Sequence, residues 1–316
     1  MALDILTMGE IMLRFTPPLP QVLEQAPYFE VRPAGAESNV AITAARMGLK
    51  TGWISRLPEN SLGRRAVASV QQHGVDIAGV VWTPHGRLGS YYLDYGVPPR
   101  PPHVIYDRAN STFTEMTIGE VNWDYFSTTR LFHVSGITLA LSDNLRAVVR
   151  HAMTLARQSG ILVSLDVNHR AKLWSTDSAN QTIRPLLAQV DILKMGLDEA
   201  YAVLKMTGDA ASIAQALYAD FGCKVVVITN ESQPVVAYDG QLHTQATYPV
   251  QVVDSIGAGD AFMGGFLCGY LEQGVAWGLK MGNALGAIKI TYQGDVIWCN
   301  RDQVMTLIES RDAAFR

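Results

Sequence analysis

Tyr248-Pro249-Val250-Gln251-Val252-Val253-Asp254-Ser255-Ile256-Gly257-Ala258-Gly259-Asp260-Ala261-Phe262 is the stretch on which the reading of this chain turns. Tyr248–Val253 has the β-branched character of a strand, and Asp260–Gln273 has the length and apolar content of a helix. Between them Gly257 and Gly259 lack Cβ atoms, so the backbone can turn tightly and let a ligand approach closely. The amides of Ala258, Gly259 and Asp260 would then lie free at a helix N-terminus, where they favour an anion. A carboxylate at Asp260 inside such a site is available to take a proton from an attacking hydroxyl. Gly-Ala-Gly-Asp alone also fits a plain strand–helix turn with an acidic first-turn residue. Nine residues in the order of 254–262 are a stronger signal.

The same strand–turn–helix alternation extends outward. Strands are expected at Leu131–Val134, Ile161–Asp166, Ile192–Met195, Lys224–Thr229 and Val235–Tyr238. Helices are expected at Asp143–Ser159, Asp198–Lys205, Ser212–Phe221, Asp260–Gln273 and Ala276–Thr291. Towards the N-terminus, strands Leu3–Gly9, Thr51–Ser55 and Val75–Thr83 alternate with helices Ala34–Gly48 and Leu62–His73. Short apolar strands between amphipathic helices indicate an α/β fold with a parallel sheet covered on both faces. Ligands in such folds bind beyond the carboxyl ends of the strands. That points to Ser135–Gly136, Asn168–Arg170, Gly196–Glu199 and Thr229–Ser232. A different texture occupies 86–112, where the aromatic run Gly89–Tyr95 and His103–Arg108 flank the prolines 98, 99, 101 and 102. Together with about 10–35, this segment reads as a small β-sheet projecting from the main body as a lid.

Composition bounds the partners. The chain has 316 residues, 48% hydrophobic and 17% charged, against a typical charged share of ~25%. A sheet buried on both faces accounts for much of that shortfall. A net charge of −4 excludes a strongly basic nucleic-acid binder. No run approaches the ~20 apolar residues that span a bilayer. The first residues, MALDILTMGE, lack a basic segment, and the three cysteines, Cys223, Cys268 and Cys299, are widely spaced. Both features suit reduced thiols in a cytoplasmic protein.

At Asp254–Phe262 the chain resembles the PfkB, or ribokinase-like, family of carbohydrate kinases, whose C-terminal signature DTxGAGDxF stands here as DSIGAGDAF. The family's N-terminal glycine-rich signature stands as Pro33-Ala34-Gly35-Ala36-Glu37-Ser38-Asn39-Val40-Ala41. The likeness runs through essentially the whole length. It implies a single kinase domain over 1–316, a three-layer αβα body with a mostly parallel central sheet and a small β-sheet lid. It further implies Asp260 as catalytic base, Gly257, Ala258 and Gly259 as an anion hole, and Gly35 and Asn39 as sugar contacts.

Tyr106-Asp107-Arg108-Ala109-Asn110-Ser111 and Asp166-Val167-Asn168-His169-Arg170-Ala171-Lys172-Leu173-Trp174 resemble patterns of the 2-keto-3-deoxygluconate kinases within that family. A keto-deoxy sugar acid carries a carboxylate that ribose and fructose lack. A guanidinium flanked by tyrosine hydroxyls can hold it by charge-assisted hydrogen bonds. Arg108, Tyr92 and Tyr106 are the candidates, and Asn168 and Asp295 join them as substrate ligands by resemblance. Arg170, beyond a strand end, could neutralise the transferring phosphoryl group. Thr229 and Asn283 resemble nucleotide-site residues, and Glu199 a residue linked to magnesium. Structural alternatives stand beside these roles. Arg108 could be a surface arginine, Tyr91 and Tyr92 could pack the lid or a subunit contact, and Arg170 could pair with Asp166. Asp295 could be a turn aspartate and Asn283 a packed polar residue.

Three departures from the family pattern matter. The usual Asn-x-x-Glu stands as Gly196-Leu197-Asp198-Glu199. The nucleotide loop Thr-x-Gly-x-x-Gly stands as Thr229-Asn230-Glu231-Ser232-Gln233-Pro234, with both glycines lost and a negative charge gained. Gly-x-Asp-x-x-Gly stands as Pro58-Glu59-Asn60-Ser61-Leu62-Gly63. The expectation is therefore an ATP- and Mg²⁺-dependent kinase acting on the primary hydroxyl of 2-keto-3-deoxygluconate or a related sugar acid. A kinase for a neutral sugar, or a catalytically weak sugar- or nucleotide-binding relative, is the alternative. No GxGxxG follows the first strand, which disfavours a nicotinamide dehydrogenase. A homodimer or higher homo-oligomer through the aromatic lid completes the expectations.

Overall fold

A computed structural model describes residues 2–97 and 99–314; Pro98, the first of the proline cluster, lies outside the described residues. In chain order the N-terminal part holds β1 (Leu3–Met8), β2 (Met12–Thr16), β3 (Glu30–Ala34), α1 (Ala36–Arg46), β4 (Thr51–Pro58), α2 (Ser61–Gln71), β5 (Val80–Thr83), β6 (Ser90–Asp94) and β7 (His103–Asp107). The middle holds α3 (Trp123–Phe126), β8 (Thr129–Ser135), α4 (Gly136–Leu141), α5 (Asp143–Gln158), β9 (Leu162–Asp166), α6 (Thr176–Ile183), β10 (Ile192–Gly196), α7 (Leu197–Ala202) and α8 (Ala210–Phe221). Then come β11 (Val225–Thr229), β12 (Val235–Tyr238), β13 (Leu242–Gln245), α9 (Ala258–Gln273), α10 (Val275–Lys289) and α11 (Arg301–Ala314).

Nine strands form the main sheet in the order β13-β12-β11-β10-β9-β8-β1-β4-β5. Every neighbour pair from β11 to β5 is parallel, and only the β11–β12 and β12–β13 pairs, at one edge, are antiparallel. The alternation within β1 explains the layers. Ile5 packs into a core with Val40, Phe262 and Phe266 from α1 and α9, whereas Leu6 packs into the opposite core with residues of α5. Helix α5 shows how one covering helix is specified. Ser142 caps it through Oγ, which accepts from the Leu145 amide at 3.1 Å. Leu145, Val148, Val149, Ala152, Met153 and Ala156 form its buried stripe.

The second sheet has the order β3-β2-β6-β7, with β2 and β6 parallel and the outer pairs antiparallel. The expected parallel αβα body and small accessory sheet are thus both present. No helix among the described residues is long and apolar enough to cross a membrane.

The structure differs from the sequence reading at several elements. Tyr248–Val253 is not a strand and joins no ladder. Val252 is 61% exposed, and the Val253 amide bonds to the Ile290 carbonyl at the end of α10 instead of to a neighbouring strand. The strand read at Val75–Thr83 begins at Val80, because Asp76 Oδ1 accepts from the Ala78 amide and turns the chain. Helices α3, α4, α6 and α11 and strand β13 have no counterpart in the sequence reading.

Candidate active site

The carboxyl ends of β8, β9, β10 and β11 and the helix starts that follow them open onto a cavity of about 590 Å³. The small sheet closes one side through Tyr91 and Tyr106, and the turn before α9 closes another. Of the residues singled out from the sequence, Gly35, Asn39, Tyr106, Arg108, Asn168, Arg170, Glu199, Thr229, Gly257, Gly259, Asp260 and Asp295 all line this one space. Ala258, Tyr92 and Asn283 do not.

Gly257 is the N-cap of α9, with φ at +81°. A Cβ there would sit 2.2 Å from the Asp295 carbonyl oxygen, so both the left-handed backbone and the close approach require glycine. The Ala258 amide is spent on the Ser255 carbonyl at 3.2 Å, which corrects the expectation of three free donors. The Gly259 and Asp260 amides are left without a carbonyl partner among the described residues.

Asp260, in the first turn of α9, is 8% exposed. Its Oδ2 accepts from Asn39 Nδ2 of α1 at 2.8 Å. Burial pushes its carboxyl up to about 7, and the nearby Asp166 adds to that shift. The Asn39 hydrogen bond and the charges of Arg170 and Lys194 pull the other way. The result is a carboxyl that changes protonation near neutrality, as a general base needs.

Beside it, Lys194 of β10 donates to Asp166 Oδ2 of β9 at 3.1 Å. Asp166 was the alternative partner for Arg170, but Lys194 takes that place, and Arg170 lies exposed at the cavity edge. The Glu199 carboxylate accepts from the Gly196 amide at 2.7 Å and the His169 amide at 2.5 Å. Gly196, standing where the family pattern has Asn, has no side chain to cap the start of α7 in return. Burial and Asp166 raise the Glu199 carboxyl above its ordinary range.

The small sheet departs from expectation in a regular way. β2 pairs with β6 so that Arg14 faces Tyr91 and Phe15 faces Tyr92. Successive strand residues point to opposite faces, so only one of the two tyrosines can meet the cavity. It is Tyr91, whose hydroxyl donates to Asp295 at 2.7 Å. Tyr92 stacks on Phe15 with ring centroids 5.2 Å apart, on the far face, so it does not line the site where it was expected. The Tyr91 hydroxyl is thus turned inward and not toward a subunit contact. The Tyr95 hydroxyl donates to Asp254 at 2.8 Å.

Arg108 is buried in the cavity wall, but its Nε and Nη2 both donate to Glu10 Oε2, the first at 2.9 Å. Ser111 donates to the other Glu10 oxygen. Part of the guanidinium is therefore already committed inside the protein. Asn283 also lies outside the cavity. Its Nδ2 donates to the Gln245 and Ala246 carbonyls and ties α10 to the end of β13. Glu231 is exposed and does not line the cavity.

Sequence reasoning missed Arg14, Glu10 and Lys194. Arg14 is 1% exposed and sits between two buried carboxylates. Its Nη2 lies 3.0 Å from Asp254 Oδ2, and its Nη1 donates to Asp295. It joins the small sheet to the start of the 254–262 signature. Salt-bridge and amide contacts hold the Asp254 carboxyl below its ordinary range. The available signal was a basic residue inside an apolar strand, MLRFT and ILKMG, which is costly unless it is paired.

A buried carboxyl balanced near neutrality, set at a glycine-lined helix start and flanked by cations, is the equipment of an α/β enzyme that transfers an anionic group to a hydroxyl. The chain belongs to the PfkB family of carbohydrate kinases; the model described as pfkB family carbohydrate kinase matches residues 2–302. It is a carbohydrate kinase with the ribokinase-like fold. A 2-dehydro-3-deoxygalactonokinase of Haloferax volcanii is 37% identical over 99% of both chains. A 2-dehydro-3-deoxygluconokinase of Bacillus subtilis is 31% identical over 94% of this chain and 92% of that one. The crystal structure of 2-dehydro-3-deoxygluconokinase from Thermotoga maritima has a TM-score of 0.92 at 30% identity, covering 98% of this chain and 99% of that one.

Proposed function

We propose that this enzyme transfers the γ-phosphoryl group of ATP to the terminal primary hydroxyl of 2-keto-3-deoxygluconate or a closely related sugar acid. The observation that carries the chemistry is Asp260, buried beside the Gly257–Gly259 turn and raised to about 7. The similarity to kinases of both the gluco and galacto acids supports the 2-keto-3-deoxy class. It also makes both epimers candidates.

In this reading the sugar lies between Gly35, Asn39, Tyr106, Arg108 and Asp295. Arg108 turns its remaining nitrogen, Nη1, to the carboxylate. Asp260 accepts the hydroxyl proton as the oxygen attacks phosphorus, and ADP leaves with the electron pair of the broken P–O bond. The Gly259 and Asp260 amides, the helix N-terminus and Arg170 stabilise the charge. The small sheet excludes water that would otherwise accept the phosphoryl group.

Magnesium fits this site as a companion of the nucleotide. No cluster of three metal-ligating side chains exists among the described residues. Asp166 Oδ1, however, is buried without a hydrogen-bond partner in the described structure. That oxygen and Glu199 would face the water shell of a cation carried on the phosphates, where it would neutralise developing charge. One observation favours a neutral sugar as the second reading: Glu10 already offsets the charge of Arg108.

The test is turnover with saturating MgATP and each keto-deoxy acid, in the wild type and in Asp260→Asn. Loss of ADP release by ~10²-fold or more in the variant supports Asp260 as base. Turnover that survives the substitution rejects it.

A further inference from the structure

We propose that Glu10 is a positioning residue that sets how strongly this enzyme prefers an acid sugar to a neutral one, acting through Arg108. The proposal rests on the keto-deoxy acid reading above. It gives a role to a buried carboxylate that neither the motifs nor the comparisons single out.

Glu10 stands where the chain leaves the main sheet for the small one, between β1 and β2. It is 4% exposed and lines the same cavity as Tyr106 and Arg108. The chain crosses between the two sheets four times, and the other three crossings all close on this residue. Gly35, between β3 and α1, comes so near that a Cβ there would strike the Glu10 carbonyl oxygen. Gly89, just before β6, leaves room for the carboxylate, and a Cβ there would lie 3.0 Å from Oε1. Arg108 and Ser111, just after β7, donate to the two carboxylate oxygens. A carboxylate enclosed in this way stays in place when a sugar enters the cavity.

Its effect on Arg108 follows from the shape of a guanidinium, which carries five N–H donors in one plane. Glu10 Oε2 takes the Nε hydrogen and one hydrogen of Nη2, so that edge is closed to a ligand. Nη1 and the second hydrogen of Nη2 remain, and they form an edge that a carboxylate can meet with two hydrogen bonds. The substrate carboxylate and Glu10 then occupy adjacent edges of one guanidinium, where like charges repel. A glutamine could accept at the closed edge without that charge. The glutamate therefore weakens the hold on an acid sugar and leaves the hold on fructose or ribose untouched. The phosphorylated product keeps the carboxylate of its substrate, so the same repulsion favours its departure.

The competing role is a pin for the four crossings and nothing more. Glu10→Gln separates the two, because it removes the charge and keeps the shape. Calorimetric titration of the full-length wild type and variant with 2-keto-3-deoxygluconate, its galacto epimer and fructose gives the readout. The change in Tm with each sugar supplies a second readout if the variant is less stable. The expected result is a Kd for the keto-deoxy acid that falls ~10-fold in the variant, while that for fructose stays within ~2-fold. The acid should also raise the Tm of the variant by more than that of the wild type, because its carboxylate replaces the charge removed. Fructose should raise both alike. A variant that folds only in the presence of the acid meets the same expectation.

An acid affinity that is unchanged or weaker, or a shift shared by the acid and fructose, would overturn the role. So would a variant that neither sugar brings to a folded state. Wild-type protein that binds no keto-deoxy acid would instead overturn the substrate reading, and the role of Glu10 with it.

Discussion

Asp260→Asn has a consequence for stability that is independent of any substrate. Raising the Asp260 carboxyl from 3.8 to about 7 is a shift of roughly three units. At about 1.4 kcal/mol per unit, ionising it in the folded chain costs about 4 kcal/mol more than in the unfolded chain. Between those two values the folded state holds more protons than the unfolded state, so stability falls as pH rises. The contribution is fully present below about pH 4 and is lost as pH passes through about 7.

Asparagine has no such titration, and its amide oxygen can still accept the Asn39 hydrogen bond. Urea unfolding of the wild type and the variant at pH 5 and pH 8 isolates the group, because all other titrations cancel in the difference. The variant should gain about 2.5 kcal/mol on the wild type between the two pH values. In parallel, wild-type kcat/KM should rise about tenfold per pH unit below 7 and level off above it. A stability difference that is the same at both pH values would refute the argument that burial holds this carboxyl near neutrality. A rate profile without an inflection near 7 would separate Asp260 from the proton transfer.

Three further outcomes follow from the geometry. Gly257→Ala forces a side chain into a left-handed backbone and against the Asp295 carbonyl; kcat should drop about 10²-fold with intact far-ultraviolet circular dichroism. Arg14→Met strands the buried Asp254 and Asp295; a loss of about 3–5 kcal/mol is expected in urea melts at pH 7. Arg108→Met combined with Glu10→Gln removes the guanidinium without leaving its partner charged. KM for the keto-deoxy acid should rise about 10- to 100-fold in steady-state assays, and an unchanged KM would remove Arg108 from carboxylate recognition.

The parts of this enzyme legible in the sequence are those written locally. Gly257, Gly259 and Asp260 form a turn and helix start from adjacent residues, and the apolar stripe of α5 is complete within its own sixteen residues. Register was not legible. Strand alternation puts Tyr91 and Tyr92 on opposite faces, but which face meets the cavity depends on β2 lying alongside β6.

Buried charges were harder still. Arg14 finds Asp254 and Asp295 more than two hundred residues away, and Arg108 finds Glu10 from the other end of the small sheet. A pairing of that range leaves no periodicity behind, only a charged residue where an apolar one was due. Tyr248–Val253 failed for the opposite reason. Its β-branched composition suits extended backbone whether or not a neighbouring strand exists, and here none does.

Substrate selection is the most direct test of the central claim. The measurement is kcat/KM for MgATP-dependent phosphorylation of 2-keto-3-deoxygluconate and its galacto epimer against fructose and ribose, under one set of conditions. At least one keto-deoxy acid should exceed both neutral sugars by about 10²-fold, the worth of a charge-assisted contact that only a carboxylate can make. Equal or better turnover of fructose or ribose would contradict it.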